Sequence, residues 1–466
     1  MNPKNKRPNL DQVTTINDDG SRYIIHPADV KGPFTFWRRL VGFVLVSIYI
    51  LLPWIPIGGN PAVFLDVVNR RFHLFGFTLA AQDLWLLFFL VSGLAFFLYY
   101  ISALFGRIWC GWACPYTVFL DHVYRRIERL YEGDAARRKK LDNAEWTLQK
   151  FFLRASKHLT YVIVSLLIAH IFLAYFISLP RLYSYMHDSP LDHFGAFGVV
   201  VFLTCVLYFC FAWFREQFCI IVCPYGRLQS ALTDDDTIII GYDEKRGEPR
   251  GKKGDVEGDC VDCKRCIQVC PTGIDIRNGL QLECIGCAAC LDACDDIMTK
   301  LKRPLGLIRY DSLNGLEGKK RQIVRPRILV YTALMLLGAG LVLGAMTKVT
   351  PFEMSIIRLP GMPYMEDAGF VRNQIMVRLL NKKNHAVDYT IKIDGLPESS
   401  LLIGTDQVIH VDALKENSFT VAMAVPKADY QSNRKFTIIA TEKDSGDHLE
   451  RSAVFLGPEH TKPVNQ

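Results

Sequence analysis

The chain has 466 residues, of which 50% are hydrophobic and 12% aromatic, and its mean hydropathy is +0.15. The aromatic and branched residues exclude a disordered protein, and the lack of a sequence period excludes a collagen-like or coiled-coil rod. The net charge is +7, but Lys and Arg cluster beside apolar runs, which indicates membrane topology and no nucleic-acid partner.

Residues 1–39 are predicted to form a cytoplasmic N-terminal tail, which lacks the features of a cleavable signal peptide. A transmembrane core is predicted over 40–230, and one further span follows it. Five apolar segments reach the length that crosses a bilayer. Their approximate bounds are 40–57, 84–105, 159–179, 194–214 and 327–346. The sequence therefore predicts a multi-domain membrane protein with a five-helix α core.

The charges between the spans predict their orientation. Segment 106–158 contains eleven Lys and Arg residues, whereas 58–83 contains two and 180–193 contains one. Because positively charged loops stay in the cytoplasm, we expect a cytoplasmic N-terminus and a periplasmic C-terminus. The most basic run, Arg125–Lys140, is predicted to be a topology signal that lies on anionic lipid.

Two Cys-x3-Cys-Pro motifs follow the second and fourth spans. The first, RIWCGWACPY, contains Cys110 and Cys114, and the second, FCIIVCPYG, contains Cys219 and Cys223. Because residues i and i+4 share a helix face and proline favours a helix stop, each pair is predicted at the cytoplasmic end of its span. Four adjacent thiols could bind Cu(I), hold a further cluster, or cycle between dithiol and disulfide. Buried structural cysteines are the alternative.

The segment 231–326 is predicted to be a cytoplasmic ferredoxin domain, because it contains two equal cysteine runs. Each run has the Cys-x2-Cys-x2-Cys-x3-Cys spacing of bacterial [4Fe–4S] ferredoxins, in which the fourth cysteine ligates the other cluster. The predicted ligands of cluster one are Cys260, Cys263, Cys266 and Cys294. The predicted ligands of cluster two are Cys284, Cys287, Cys290 and Cys270.

Structural zinc is the alternative interpretation of these cysteines. Zinc sites usually use two Cys-x2-Cys pairs, and eight thiols in two equal runs do not divide in that way. None of the 14 cysteines lies after Cys294, which agrees with thiols kept on the reducing, cytoplasmic side. Asp295 stands where the pattern has a second proline, but that proline supplies no ligand. Asp292, Asp295 and Asp296 are expected to lower the potential of the nearby cluster.

The last segment, 347–466, has the period-2 alternation of strands. The alternating runs are Gln374–Leu380, Val387–Ile393, Phe419–Val425, Lys435–Thr441 and Ser452–Leu456. Turn residues separate them, and about seven short strands in ~110 residues are typical of a small sandwich. We therefore predict a periplasmic all-β Ig-like domain, with an irregular soluble tail as the alternative.

Some residues within and near the spans remain ambiguous. Cys205 and Cys210 are interpreted as core residues of the fourth span. His170 could ligate a metal or haem, or could bond a neighbouring helix as a neutral ring. His122 is given little weight. The sequence contains no nucleotide-binding glycine motif, so the chain is expected to receive electrons from a cytosolic donor rather than to oxidise NAD(P)H.

The two Cys-x3-Cys-Pro motifs, together with the block CVDCKRCIQVCPTGIDIRNGLQLECIGCAAC, resemble the cytochrome c oxidase accessory proteins of Proteobacteria. This family is known as CcoG, FixG or RdxA. The resemblance implies a bacterial inner-membrane protein that supports assembly of cbb3-type cytochrome oxidase by reducing Cu(II) to Cu(I). Copper and oxidase assembly factors are then implied partners. Cys110, Cys114, Cys219 and Cys223 match the family motif, although their role stays open.

The residues themselves predict an electron carrier with two [4Fe–4S] clusters, anchored in a lipid bilayer. Reduction of Cu(II) suits the thiol motifs, because soft ligands favour Cu(I). One alternative is a quinone-linked conduit to a periplasmic reductase. Another is a non-enzymatic scaffold for oxidase assembly, in which the clusters only stabilise the fold.

Overall fold

A computed structural model describes residues 24–79, 83–251, 258–347, 350–359, 361–367, 369–405 and 407–458. The chain divides into two compact units, and each is described by itself. The first unit runs to Ile55 and continues with 61–65 and 85–344; the second contains 56–60, 66–84 and 345–466.

The helices are numbered in chain order. They are α1 (Pro33–Leu51), α2 (Leu84–Phe105), α3 (Ile108–Trp112), α4 (Pro115–Phe119), α5 (Arg125–Glu132), α6 (Ala135–Asn143), α7 (Leu148–Ala174), α8 (Leu179–His187), α9 (Phe194–Tyr208), α10 (Pro224–Leu232), α11 (Glu244–Gly247), α12 (Arg265–Gln268), α13 (Ala289–Lys300), α14 (Leu313–Leu316) and α15 (Pro326–Met346). Wider π-helical turns occur at Leu120–Tyr124, Phe209–Phe214 and Phe218–Val222, and 3-10 turns at Leu52–Trp54 and Ile276–Asn278.

Five of these helical segments are long and apolar enough to cross a membrane. They are Pro33–Trp54, Trp85–Phe105, Leu148–Ala174, Phe194–Phe214 and Pro326–Met346. Three agree closely with the predicted spans, whereas the first and third begin earlier than predicted. In the third, the Thr147 hydroxyl accepts a hydrogen bond from the Lys150 amide and so fixes the helix start. Hydropathy locates the apolar part of a helix but not its capped end.

The outer faces of these helices are strongly apolar. Phe88, Phe202 and Leu336 are 68%, 66% and 62% exposed, as expected of side chains that face lipid. Cys205 is also exposed on α9, so its prediction as a core residue is wrong. Cys210 is half-buried in the following π-helical turn. The 3.6-residue period turns one of the two cysteines outward.

The predicted ferredoxin segment forms a small core of its own. Strands β6 (Ile239–Tyr242) and β7 (Ile308–Asp311) pair antiparallel, with Ile239 opposite Asp311 and Tyr242 opposite Ile308. Ile240, Leu307 and Met298 are almost fully buried between this pair and α13. Both cysteine runs lie between these strands in sequence: the first contains α12, and the second leads into α13.

The strands of the remaining segments are short before residue 80 and longer after residue 350. The early ones are β1 (Pro56–Ile57), β2 (Asn60–Pro61), β3 (Val63–Asp66), β4 (Arg71–Leu74) and β5 (Phe77–Leu79). The later ones are β8 (Phe352–Arg358), β9 (Met365–Glu366), β10 (Phe370–Asn381), β11 (Val387–Asp394), β12 (Leu401–Ile403), β13 (Ile409–Val411), β14 (Glu416–Pro426), β15 (Lys435–Glu442) and β16 (His448–Val454).

The later strands form the predicted sandwich. One sheet has the order β12-β14-β10-β8, with β9 on β10, and the other has the order β13-β11-β15-β16. Alternate residues of β10 are buried, including Val377 and Leu379, and they share a core with Tyr389 and Ile438 of the other sheet. Four of the predicted strands lie within observed strands. The fifth, predicted to begin at Ser452, overlaps β16, which begins four residues earlier at His448.

The second unit also includes a segment between the first two spans. Strands β4 and β5 form a hairpin in which Phe72 is opposite Leu79. Asp83, just after this hairpin, accepts a hydrogen bond from Lys382 at 2.7 Å, and Lys382 also contacts Glu353 at 3.0 Å. Because both Asp83 and Lys382 are buried, this ion pair ties the segment to the sandwich. The predicted boundary at residue 347 therefore omits part of the unit.

Candidate iron–sulfur and thiol sites

The first candidate cluster site is a cavity between β7, α12 and α13. It is lined by Cys260, Cys263 and Cys266 from the first cysteine run and by Cys294 from the second. Apolar side chains such as Leu307 form the opposite wall. The structure thus brings together the four thiols predicted for cluster one.

The second candidate cluster site is a neighbouring cavity. It is lined by Cys284, Cys287 and Cys290 from the second run and by Cys270 from the first. Cys266 lies on the wall of both cavities, so the two sites adjoin. The four thiols predicted for cluster two therefore lie together as well.

Both cysteine runs fold with the same backbone turns. In the first run Asp262 and Lys264 have φ values of 49° and 56°, and in the second Gly286 and Ala288 have 67° and 59°. These residues precede and follow the second cysteine of each run. Left-handed residues beside right-handed ones turn successive N–H groups toward one side, a geometry typical of iron–sulfur sites. The two loops therefore fit the same kind of anionic cluster.

Burial raises the pKa of the cluster thiols. The pKa of Cys266, Cys284 and Cys294 rises to about 12, and that of Cys287 to about 11. Metal binding must therefore displace protons from them. Among the described residues, no three His, Cys, Asp or Glu side chains are close enough to hold one metal ion.

The two cysteines of each Cys-x3-Cys-Pro motif do not share one helix face, contrary to the prediction from the sequence. Cys110 lies in α3, but Cys114 is extended and precedes Pro115, the first residue of α4. Cys219 lies in a π-helical turn, and Cys223 is likewise extended before α10. The prediction of a shared face is wrong because proline is favourable at the first position of a helix. The chain therefore starts a new helix at the proline, and the cysteine before it is extended. Both motifs adopt the same arrangement.

The four motif thiols lie close enough to influence one another. Charges on Cys114 and Cys223 both influence Cys110, and charges on all three influence Cys219. Burial raises the pKa of Cys110 to about 12 and also raises that of Cys219. Without a bound metal, both thiols therefore stay protonated. We refer to Cys110, Cys114, Cys219 and Cys223 as the four-thiol site.

Two polar residues that sequence reasoning missed surround the four-thiol site. Cys110 Sγ lies 3.6 Å from Gln229 Oε1, and Arg107 Nε donates to the same oxygen at 3.0 Å. Arg107 also donates to the Leu282 and Gly226 carbonyls, in the cluster-two region and the second motif. Its place three residues before Cys110 was the available signal. Gln229 is fully buried, and no local sequence pattern predicts its place beside the four-thiol site.

Gly111 allows the first motif to contact the cluster-two loop directly. A Cβ atom at this position would lie 2.5 Å from the Ile285 carbonyl oxygen and 3.0 Å from Cys287 Cα. On the other side, a Cβ atom at Gly286 would lie 3.2 Å from the Arg107 carbonyl carbon. Backbone therefore packs against backbone, and the four-thiol site adjoins the second cluster cavity.

We expect Gly111→Ala to lower the stability of the first unit by about 1–3 kcal/mol, because the added methyl group meets rigid backbone. The measurement is the thermal unfolding midpoint of the purified protein. Gly195→Ala is the matched control, since a Cβ atom there has no neighbour within 4 Å and alanine favours a helix. Equal midpoints for both variants would contradict the close contact.

Buried ion pairs connect α5, α6 and α7. Glu128 accepts hydrogen bonds from Arg138 at 3.0 Å, from Tyr161 at 2.9 Å and from Arg215. Burial alone would raise the pKa of Glu128, but Arg215, Lys157 and Arg138 outweigh it and lower the pKa to about 2. Glu128 is therefore ionised at neutral pH.

The basic run Arg125–Lys140 is thus only partly a lipid-facing surface. Arg137, Lys139 and Lys140 are exposed, whereas Arg138 is buried and Arg125 is nearly so. Arg125 pairs with Asp121 at 2.5 Å and donates to the Pro271 carbonyl at 2.9 Å. The prediction is wrong for these two arginines, because the run folds back on the helices around it.

Three further polar residues have structural contacts. His170 Nδ1 bonds the Leu166 carbonyl of its own helix at 2.8 Å, rather than a neighbouring helix. His122 packs on Gly42, and burial lowers its pKa to about 4, so the ring is neutral. Asp292 accepts hydrogen bonds from the Thr35 amide at 2.7 Å and its hydroxyl at 2.6 Å. Its charge therefore caps α1.

Comparison with known families agrees with these sites. A family described as a 4Fe-4S dicluster domain matches residues 214–313, and a 4Fe-4S binding domain matches 84–141. A third family, the IG-like fold at the C-terminal of FixG, matches 342–458. These matches confirm iron–sulfur binding and the Ig-like domain.

Similar proteins extend over most of the chain. Nitrogen fixation protein FixG of Rhizobium meliloti is 32% identical and covers 93% of each chain. Protein RdxA of Cereibacter sphaeroides is 35% identical over 80% of this chain and 82% of that one. Protein RdxB of the same organism is 36% identical over 81% and 83%. The chain is therefore an iron–sulfur electron-transfer membrane protein, and it belongs to the FixG/CcoG/RdxA family.

Proposed function

We propose that the protein takes electrons from a cytosolic donor and reduces Cu(II) to Cu(I), in support of cbb3-type cytochrome oxidase assembly. The observation that carries the proposal is the backbone contact at Gly111, which joins the four-thiol site to the second cluster cavity. We further propose that the ferredoxin domain lies in the cytoplasm of a bacterial inner-membrane protein, because the most basic loops lie on its side.

Two [4Fe–4S] clusters, when bound, supply one-electron redox chemistry. The chain's own contribution is to order the sites. Of the eight predicted ligands only Cys263 is exposed, so the first cavity is the one that a soluble donor can approach. Ile285 and Cys287 line the second cavity, and their backbone packs on Gly111 of α3. This order favours the entry of electrons near Cys263 and their exit at the four-thiol site.

Copper enters this scheme as substrate. Each Cu(II) ion gains one electron and becomes Cu(I), which thiolates bind in preference to Cu(II) because both are soft. Binding would release the thiol protons that burial retains on Cys110 and Cys219. Although no three thiols are placed to hold one ion, a pair of thiolates is sufficient for Cu(I).

We expect the double variant Cys110→Ser/Cys219→Ser to reduce Cu(II) about tenfold more slowly or not at all, because one thiol is lost from each motif. The iron content should stay at about eight atoms per chain, since these residues are not cluster ligands in this scheme. The measurement is anaerobic Cu(I) formation with a Cu(I)-specific chelator, beside iron analysis. Cys205→Ser, an exposed cysteine outside both motifs, is the control and should behave as the wild type.

The same experiment tests a further cluster at the four-thiol site. This alternative is favoured by the 4Fe-4S binding domain matched at 84–141, which includes Cys110 and Cys114. It requires about twelve iron atoms per wild-type chain and a loss of about four in the double variant. An unchanged rate of Cu(II) reduction in a variant with full iron content would contradict a role of these thiols altogether.

A quinone-linked conduit is the second candidate function. A cavity of about 190 Å³ lies between α2, α10 and the ferredoxin domain, and Phe105, Leu282 and Cys284 line it together with Arg107. An apolar cavity with a few polar groups suits a quinone ring. Anaerobic redox titration separates the two functions: oxidation of the reduced protein by Cu(II) but not by a soluble quinone favours cupric reduction, and the reverse favours the conduit.

A further inference from the structure

A separate basic cavity lies between α1, α5 and α6. Six arginines line it: Arg38, Arg39, Arg125, Arg126, Arg129 and Arg138. Its volume is about 90 Å³, and the segment that includes Pro271 and Cys287 forms one wall. None of these arginines is a predicted ligand of a cluster or a member of the four-thiol site, although Cys287, a predicted ligand of cluster two, also lines the cavity.

Carboxylates compensate only part of this charge. Asp29 and Asp121 line the cavity. Asp121 pairs with Arg38 and with Arg125 at 2.5 Å, while Asp29 pairs with Arg129 and contacts Arg126 at 3.4 Å.

Behind the wall, two more carboxylates and one more arginine belong to the same network. Glu128 pairs with Arg138 and Arg215, and Glu216 contacts Arg125 at 3.3 Å. Seven arginines thus meet four carboxylates, a surplus of three positive charges around a cavity whose arginines range from buried to about two-fifths exposed. Such a surplus is unfavourable unless an anion joins it.

Two buried donors point to the same conclusion. Arg125 Nε and Arg138 Nε have no hydrogen-bond partner in the described part of the chain. The two side chains are only 10% and 4% exposed, and both line the cavity. A buried donor without an acceptor is unfavourable, and an oxygen-rich anion would supply acceptors.

We propose that this cavity binds a phosphate group. Guanidinium groups match phosphate oxygens in paired, charge-assisted hydrogen bonds, and several arginines around one small cavity are the usual means of holding that charge. Two sources carry this chemistry: the headgroup of an anionic lipid, since the cavity lies at one end of a spanning helix, and a soluble phosphate or pyrophosphate.

The test uses the full-length, delipidated protein in detergent and two probes, inorganic pyrophosphate and cardiolipin. The variant Arg126→Gln/Arg129→Gln removes two partly exposed cavity arginines, with side chains 39% and 44% exposed, so folding is little affected. Lys139→Gln/Lys140→Gln makes the same charge change on exposed residues outside the cavity. We expect the arginine variant to bind the effective probe about tenfold more weakly, which corresponds to ~1.4 kcal/mol, and the lysine variant to bind it as the wild type does.

A third variant is expected to gain affinity. Asp29→Asn removes a carboxylate that competes for Arg126 and Arg129, so binding should tighten several-fold, a result that misfolding cannot produce. Loss of pyrophosphate binding in the arginine variant identifies a soluble source, and loss of cardiolipin binding alone identifies a lipid headgroup. Binding of neither probe by the wild type, equal weakening in the lysine variant, or weaker binding by Asp29→Asn would overturn the proposal.

Discussion

Cys270→Ser is expected to remove the cluster whose other ligands come from the second cysteine run, although Cys270 belongs to the first. About four of about eight iron atoms should be lost per chain. The reason is the crossed arrangement of the cavities, in which Cys270 lies with Cys284, Cys287 and Cys290, while Cys294 lies with the first run. Serine is a poorer ligand than thiolate for iron in such clusters.

Four single variants test whether each cluster takes its fourth ligand from the other cysteine run. Electron paramagnetic resonance of the reduced proteins should give one spectrum for Cys270→Ser and Cys284→Ser, and a different one for Cys260→Ser and Cys294→Ser. Cys205→Ser, outside the ferredoxin domain, should leave the spectrum and iron content unchanged. A Cys270→Ser spectrum that matched that of Cys260→Ser would contradict the crossed arrangement.

The same variants separate electron transfer from a purely structural role. If the clusters carry electrons to copper, each variant should lose Cu(II) reduction even when it remains folded and inserted in membranes. The scaffold hypothesis requires the opposite, because it assigns the clusters only to the stability of the fold. Retained support of oxidase assembly without cluster reduction would favour the scaffold.

Cysteine spacing predicted the ferredoxin domain and the grouping of its thiols around two cavities, because the ligand geometry is local. Three ligands at intervals of three residues can share one cluster only through a tight loop, and both loops use left-handed residues around the second cysteine. The strands of the sandwich were predictable for a similar reason, since alternate residues of β10 and β11 face one core. In both cases the spacing of residues close together in the sequence is enough to predict the structure.

Helix ends and long-range contacts were less predictable. Proline both ends and begins helices, so the sequence alone did not show that Cys114 and Cys223 are extended before new helices. The effect of Asp292 on the potential of a cluster stays a prediction, whereas its capping of α1, more than 250 residues away in sequence, had no local signal. Gln229 and Asp83 likewise act on partners that only the folded chain brings near.

Glu128→Gln is expected to destabilise the first unit by about 3–5 kcal/mol, the cost of removing one partner from a buried ion pair. Arg138 and Arg215 both pair with Glu128, and the amide would leave their charges uncompensated at buried positions. The thermal unfolding midpoint of the purified protein measures the loss. Glu145→Gln, an exposed carboxylate nearby, should have little effect.

The difference in stability between the wild type and Glu128→Gln should depend on pH, because it depends on the charge of the Glu128 carboxyl group. The pKa of Glu128 is about 2 in the folded chain, whereas an unfolded glutamate has a pKa of ~4.3. A lowered pKa contributes stability that is fully present above the unfolded value and is lost as the pH falls toward the folded one. The gap between wild type and Glu128→Gln should therefore be constant from about pH 8 to about pH 5 and narrow below about pH 4. A gap of less than about 1 kcal/mol at neutral pH would mean that Arg138 and Arg215 find other partners, and that the ionic network does not hold α5 against α6 and α7.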